Sequence, residues 1–216
     1  MTELTPEYIE RMENVLRLYS RPWNPKEPVI CLDEKSIQLL EDSRPVKPVG
    51  PGRILKQDSE YIRRGTANVF CGVEPKGGRH LTWATRNRKA NQFAKIILKI
   101  ARAYPRVKTR HLVMDNLNTH NEKSLVEYYG LKRGRNLWRM FTVHYTPKHG
   151  SWLNQAEIEI GLFSRQCLGK DRIATLKDLK NRANAWNRRV NRKKIKIDWT
   201  FTTTKARKKF GYKDNN

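Results

Sequence analysis

Cysteine is sparse in this chain: Cys31, Cys71 and Cys167 lie far apart and are odd in number. That excludes a disulfide framework and the paired spacing of a zinc site, and it suits a reduced cytosolic interior. No apolar run is long enough to span a bilayer. The acidic start MTELTPEYIE is not a signal peptide, so no membrane partner is expected. Internal repeats and low-complexity tracts are missing as well. Acidic charge is also scarce, with 21 Asp and Glu against 45 Lys and Arg and a formal charge of +24. Such an excess favours a polyanionic partner, nucleic acid above all. What is present is 216 residues, 38% of them hydrophobic, with six Trp. This is enough for one domain with a buried core rather than a disordered tail.

Hydrophobic spacing orders the elements. Thr5-Pro6 supplies a cap and a first-turn proline, and Ile9, Met12, Leu16 and Tyr19 follow at helical spacing, predicting a helix over 6–19. VICLD (29–33) reads as a buried strand ending in a carboxylate, with SIQLL (36–40) as its hairpin partner. Residues 41–58 hold three Pro and two Gly and read mostly as loop. ANVFCGVEP (67–75) and HLTWATRN (80–87) complete an antiparallel meander. From 90 to 104 one helix face carries Ala90, Phe93, Ala94, Ile97, Leu98 and Ala101. HLVMD (111–115) is a second apolar strand ending in Asp, and NEKSLVEYYG is a helix closed by Gly130. RMFTVHY (139–145) is a further strand, and helices follow at 153–168 and 175–194. A meander followed by alternating helices and strands predicts an α/β fold with a mixed sheet and helices packed on its faces.

Acidic groups placed in so basic a chain invite a chemical explanation. Asp33 and Asp115 both end apolar strands, where open α/β sheets bind ligands; for either one alone, capping a turn is the plainer role. The helix at 153–168 carries Glu157 and Glu159. At about 100° per residue from Leu153, Glu157 falls about 40° away, inside the stripe of Ala156, Ile160, Ser164 and Cys167. Glu159 falls about 120° away, on the flank. Glu157 is thus expected to face the strand ends and Glu159 to be solvated. Three converging carboxylates repel one another and need cations. Oxygen-only ligands favour Mg2+ or Mn2+, and two such ions suit phosphodiester displacement.

CLDEKSIQLL, VMDNLNTH and YTPKHGSWLNQAEIEI, in that order, resemble the catalytic core of DDE transposases, in the bacterial insertion-sequence branch related to mariner elements. The resemblance implies a ribonuclease-H-like fold with helices on both faces of the sheet. It also implies an Asp–Asp–Glu triad, falling on Asp33, Asp115 and Glu157, that binds two divalent ions, Mg2+ or Mn2+. The activity implied is cleavage and strand transfer on double-stranded DNA, at transposon ends and at a target, in the bacterial cytoplasm at the nucleoid. A ribonuclease-H-type nuclease without strand transfer and an inactive nucleic-acid-binding remnant are the alternatives. Relatives carry an N-terminal helix-turn-helix region, whereas one helix precedes the first catalytic strand here. A separately supplied DNA-binding segment and a homodimer enter as candidate partners. The stretch from Asp115 to Glu157 is longer than in mariner-like proteins, which marks the loop at 130–138 as an insertion.

Other residues carry weaker expectations. Glu34 should point to the opposite side of its strand from Asp33, in a surface role. Asn116 and His120 follow the second Asp; His120 suits a phosphate contact, the tuning of a metal-bound water, or a bond at a helix start. His149 and Trp152 border the catalytic helix, where Trp152 would stack on an unpaired base or pack in the core. Asn154 would cap that helix or orient Glu157. Residues 170–213 contain sixteen Lys and Arg, among them Arg188, Arg189, Arg192, Lys193 and Lys194, against three Asp. The apolar stripe Leu176, Leu179, Ala183, Trp186 and Val190 would dock that helix and present its cations to DNA phosphates. The expected organisation is a linker helix at 1–26, a catalytic domain at 27–170 and a basic helix and tail at 171–216.

Overall fold

The computed structural model describes residues 4–44 and 59–212. Helix α1 (Pro6–Ser20) starts where the Thr5 hydroxyl accepts a hydrogen bond from the Tyr8 amide. Five strands follow in chain order: β1 (Val29–Asp42), β2 (Tyr61–Glu74), β3 (Arg79–Thr85), β4 (Arg110–Met114) and β5 (Phe141–Tyr145). They form one sheet in the order β3-β2-β1-β4-β5. The first three strands are antiparallel, and β4 and β5 run parallel to β1. The helices are α2 (Ala90–Ala103), α3 (Glu122–Tyr129), α4 (Leu131–Trp138), α5 (Ala156–Phe163), α6 (Leu176–Lys193) and α7 (Thr203–Phe210).

Strand alternation sorts side chains between two faces. Ile30, Leu32, Leu112 and Met114 join Phe93 and Ile97 of α2 and Leu125 of α3 in one core. Cys31 and Val113 join Met12 and Leu16 of α1 in a second. Farther along the second face, Ile37, Leu39 and Cys71 meet Phe163 and the Leu179, Ala183, Trp186 stripe of α6.

The exposed edge of β3 is closed by side chains. Asn191 accepts from the His80 amide at 2.9 Å and donates to the His80 carbonyl at 2.8 Å. Asn187, one helical turn earlier, does the same for Thr82 at 3.1 and 2.7 Å. Two asparagines of α6 thus take the place of the next strand, which removes an open template for aggregation.

The structure revises several expectations. VICLD and SIQLL are not a hairpin but one strand, because no turn residues separate them and Glu34 and Lys35 keep pairing with Phe70 and Val69 of β2. The loop expected at 41–58 begins only after Asp42, and residues 45–58 lie outside the described residues. The segment at 130–138 is not a loop but helix α4. Gly130, at φ +83°, allows the sharp entry. Gly134 lets α4 cross α3 so closely that a Cβ there would meet the Val126 backbone at 2.6 Å. Helix α7, which the spacing did not announce, packs Ala206 beside α1, and Arg207 forms an ion pair with the buried Glu13.

Candidate active site

β1 and β4 lie side by side in parallel, with Cys31 opposite Val113. Asp33, two residues on from Cys31, and Asp115, two on from Val113, therefore come up together on the face that carries α5. The start of α5 is tied to the same spot by the buried Asn154. Its Nδ2 donates to the Leu32 carbonyl at 2.9 Å and its Oδ1 accepts from the Ala156 amide at 3.2 Å. Its main-chain oxygen accepts from the Glu157 amide at 3.0 Å. Asn154 thus tethers the start of α5 to β1, bonding Leu32, the neighbour of Asp33, and Ala156, the neighbour of Glu157.

Electrostatics register the convergence. Burial, opposed by the Glu34 amide that donates to Asp33 Oδ1 at 2.7 Å, pushes the Asp33 carboxyl up. The negative charges of Glu34, Asp115 and Glu157 push it further, to about 7. For Asp115, burial alone would raise the carboxyl, but His120 Nδ1 at 2.7 Å and the Leu117 amide hold it below its ordinary value. Burial also disfavours a charged His120, yet Asp115 on one side and Glu34 Oε2 at 3.4 Å on the other raise its imidazole to about 9.

Among the described residues, no three His, Cys, Asp or Glu side chains close around a point as tightly as bound metal requires. The donor set nonetheless fits a hard divalent cation. All three side chains offer carboxylate oxygen. Among the described residues no Lys or Arg forms an ion pair with Asp33 or Glu157, and burial first, then the charges of Glu34, Asp115 and Glu157, raise the Asp33 carboxyl.

The two glutamates of α5 exchange the roles expected of them. Glu157 is exposed, whereas Glu159 has no solvent exposure and meets His80 Nδ1 at 2.8 Å. Helical phase counted from Leu153 misplaces them because residues 151–153 form a 3-10 turn and α5 begins only at Ala156. A 3-10 turn advances about 120° per residue and breaks the count. The buried face is Ala156, Glu159 and Phe163. Glu157, on the exposed side of the helix, is still near enough for its charge to act on Asp33.

Glu34 is also revised. It does point away from Asp33, but the opposite side is not surface: its side chain is 2% exposed, between His120 and Arg88. His120 is equally buried and stacked on Phe93 at 4.7 Å, out of reach of a phosphate. Arg11 of α1, which carried no sequence signal, donates to Asn116 Oδ1 at 2.8 Å, and Asn116 in turn donates to the Thr146 carbonyl. Lys35 donates to Ser164 at the π-helical turn Ser164–Leu168 that extends α5.

His149 is exposed at φ +62° in the loop before α5. Trp152 is 37% exposed and packs edge-on against Phe201 at 5.4 Å, its indole donating to Tyr8. Arg188, Arg189, Arg192, Lys193 and Lys194 are all exposed on or just after α6, away from its buried stripe.

A family model described as DDE superfamily endonuclease matches residues 28–180. No curated protein matches the sequence. Among solved structures, the chain is similar to the Mos1 mariner paired-end complex with Mn, with a TM-score of 0.56 and 15% identity over 89% of this chain and 60% of that one. It is also similar to the Mos1 strand transfer complex, with a TM-score of 0.54 and 16% identity over 89% of this chain and 59% of the other. The likeness is one of fold, the ribonuclease-H-like α/β architecture, and the chain spans about 60% of the length of those it matches.

Proposed function

The chain belongs to the DDE superfamily endonucleases, and from that premise we propose that it is the catalytic part of a DNA transposase. One observation supports this above the others: Asp33 on β1 and Asp115 just after β4 come up side by side on neighbouring parallel strands, where Asn154 ties down the start of α5, the helix that carries Glu157, in a chain of net charge +24. The solved relatives are paired-end and strand transfer complexes, one with Mn and one with Mg. The substrates proposed here are transposon ends and target DNA, and the partners a second copy of the chain and a separately supplied end-binding segment.

Asp33, Asp115 and Glu157 are the residues that would hold Mg2+ or Mn2+. When bound, two such cations supply the positive charge that in-line displacement at phosphorus needs. The chain's own groups prepare the site. Asn154 ties the first turn of α5, which carries Glu157, to the strand residue next to Asp33. Arg188, Arg189, Arg192, Lys193 and Lys194, with His149 and Trp152 beside α5, would hold the duplex, the cations by neutralising phosphates without reading sequence.

Supercoiled plasmid incubated with the protein and Mg2+, Mn2+ or chelator tests the proposal. Metal-dependent nicking together with joined strand-transfer products is expected. Nicking without joining would reduce the function to a nuclease, and no metal-dependent product at all would overturn it.

A further inference from the structure

The buried acid Glu34 has no place in the chemistry above, yet it touches both aspartates indirectly. Its main-chain amide donates to Asp33 Oδ1 at 2.7 Å. Its side chain crosses to the other face of the sheet, where Oε2 lies 3.4 Å from His120 Nε2, and His120 Nδ1 lies 2.7 Å from Asp115 Oδ1. Both side chains are almost fully buried, at 2% exposure or less. An unpaired buried carboxylate is costly. Neither Glu34 Oε2 nor His120 Nδ1 makes a well-aligned hydrogen bond, so charge links the three residues: Glu34 faces His120 and, at 3.4 Å from Oε1, Arg88, and His120 faces Asp115. The imidazole cannot turn aside, because Phe93 stacks on it at 4.7 Å with planes 27° apart.

We propose that Glu34 and His120 are positioning residues that set Asp33 and Asp115 for cation binding, Glu34 holding Asp33 through its main chain and Asp115 through the His120 ring. The inference rests on the reading of Asp33, Asp115 and Glu157 as cation ligands. Groups behind a ligand orient it and tune its basicity, and losing one typically costs 10–100-fold in metal affinity. The arrangement also accounts for a buried acid directly after Asp33. Strand alternation puts the Glu34 side chain on the opposite face of β1 from Asp33, where it meets His120 and Arg88.

The test is Mn2+ binding by the whole chain, followed by electron paramagnetic resonance, with circular dichroism to verify folding. Asp115→Asn controls for the ligand reading. Glu34→Gln, of the same shape without the charge, and His120→Leu should each weaken Mn2+ about 10–100-fold. His120→Asn, whose amide can sit where Nδ1 sits, should recover part of that loss. Plasmid cleavage by Glu34→Gln should return toward wild type at high Mn2+, a shift in metal requirement that mere loss of packing would not give. Wild-type Mn2+ affinity in folded Glu34→Gln and His120→Leu, with affinity lost in Asp115→Asn, would overturn the positioning role alone. Wild-type affinity in Asp115→Asn as well would overturn the cation site and the positioning role together.

Discussion

His80 and Glu159 form a pair sealed from solvent: Nδ1 of the imidazole lies 2.8 Å from one carboxylate oxygen and 3.0 Å from the other. Nε2 faces the Ile195 carbonyl at 3.2 Å. Burial raises the Glu159 carboxyl, with His80 opposing. The pair joins α5 to edge strand β3 and so fixes the underside of the helix whose flank carries Glu157. Removing one member of a buried pair strands the other, at roughly 3–5 kcal/mol. Glu159→Ala is expected to lose about that much in urea denaturation, while joint replacement of His80 and Glu159 by apolar residues costs far less. Equal stability of Glu159→Ala and wild type would show that the pair does not hold α5.

Glu157 is exposed and should be separable from the fold. Glu157→Gln is expected to abolish metal-dependent plasmid cleavage with melting temperature and DNA affinity near wild type, and Asp115→Asn to abolish it with DNA affinity near wild type. Full cleavage by either variant would remove that residue from the proposed triad.

The asparagine closure of β3 predicts a stability effect with a chemical signature. Asn187→Ala or Asn191→Ala leaves a strand amide and carbonyl unpaired, at about 1–3 kcal/mol per unsatisfied group. Asn191→Asp should be no better than Asn191→Ala, since a carboxylate cannot donate to the His80 carbonyl. Chemical denaturation of the three variants decides it, and an Asp variant as stable as wild type would contradict the two-way pairing.

His144 predicts an acid-side instability. Burial first, then the charges of His111 and Arg21, push its imidazole down to about 4. Its Nδ1 sits 2.6 Å from Asn14 Oδ1 on α1, and its Nε2 sits 2.9 Å from His111 Nδ1. Glu27 and Lys108 are the other charges acting on His111. An unfolded histidine titrates near about 6.5, so below that pH the unfolded chain binds more protons. The contribution is whole above about 6.5 and is lost as pH falls toward the folded value. Melting temperature should decline across that window, and His144→Asn should flatten the decline. An unchanged slope would assign the acid sensitivity elsewhere.

Along α6, the exposed cations predict salt dependence without sequence preference. Log affinity for duplex DNA should fall with log salt by about 0.9 per neutralised phosphate. Neutralising Arg188, Arg189 and Arg192 together should flatten the slope equally for element ends and random duplex. Strong preference for one end that survives high salt would place base recognition in this chain.

Much of this was legible along the chain because it depends on local period and local chemistry. The Thr5 cap, the α2 stripe, the Gly130 stop and Asp115 at the end of β4 need only neighbouring residues to declare themselves, and three short motifs in order were enough to indicate the family. Asp33 reads as a strand end from VICLD alone, but it lies within β1, because pairing with β2 carries the strand on to Asp42. What the sequence could not determine depends on partners brought from far away. Glu159 is buried because His80, 79 residues earlier, meets it, and Glu34 is buried where His120, held by Phe93, lies against it. Asn187 and Asn191 look like polar helix residues until β3 lies beside them. Periodicity assigns a side chain to a face; whether that face is solvent or a second layer is decided only when the sheet is covered from both sides, and a charged residue on the covered face must then find its counter-charge across the fold.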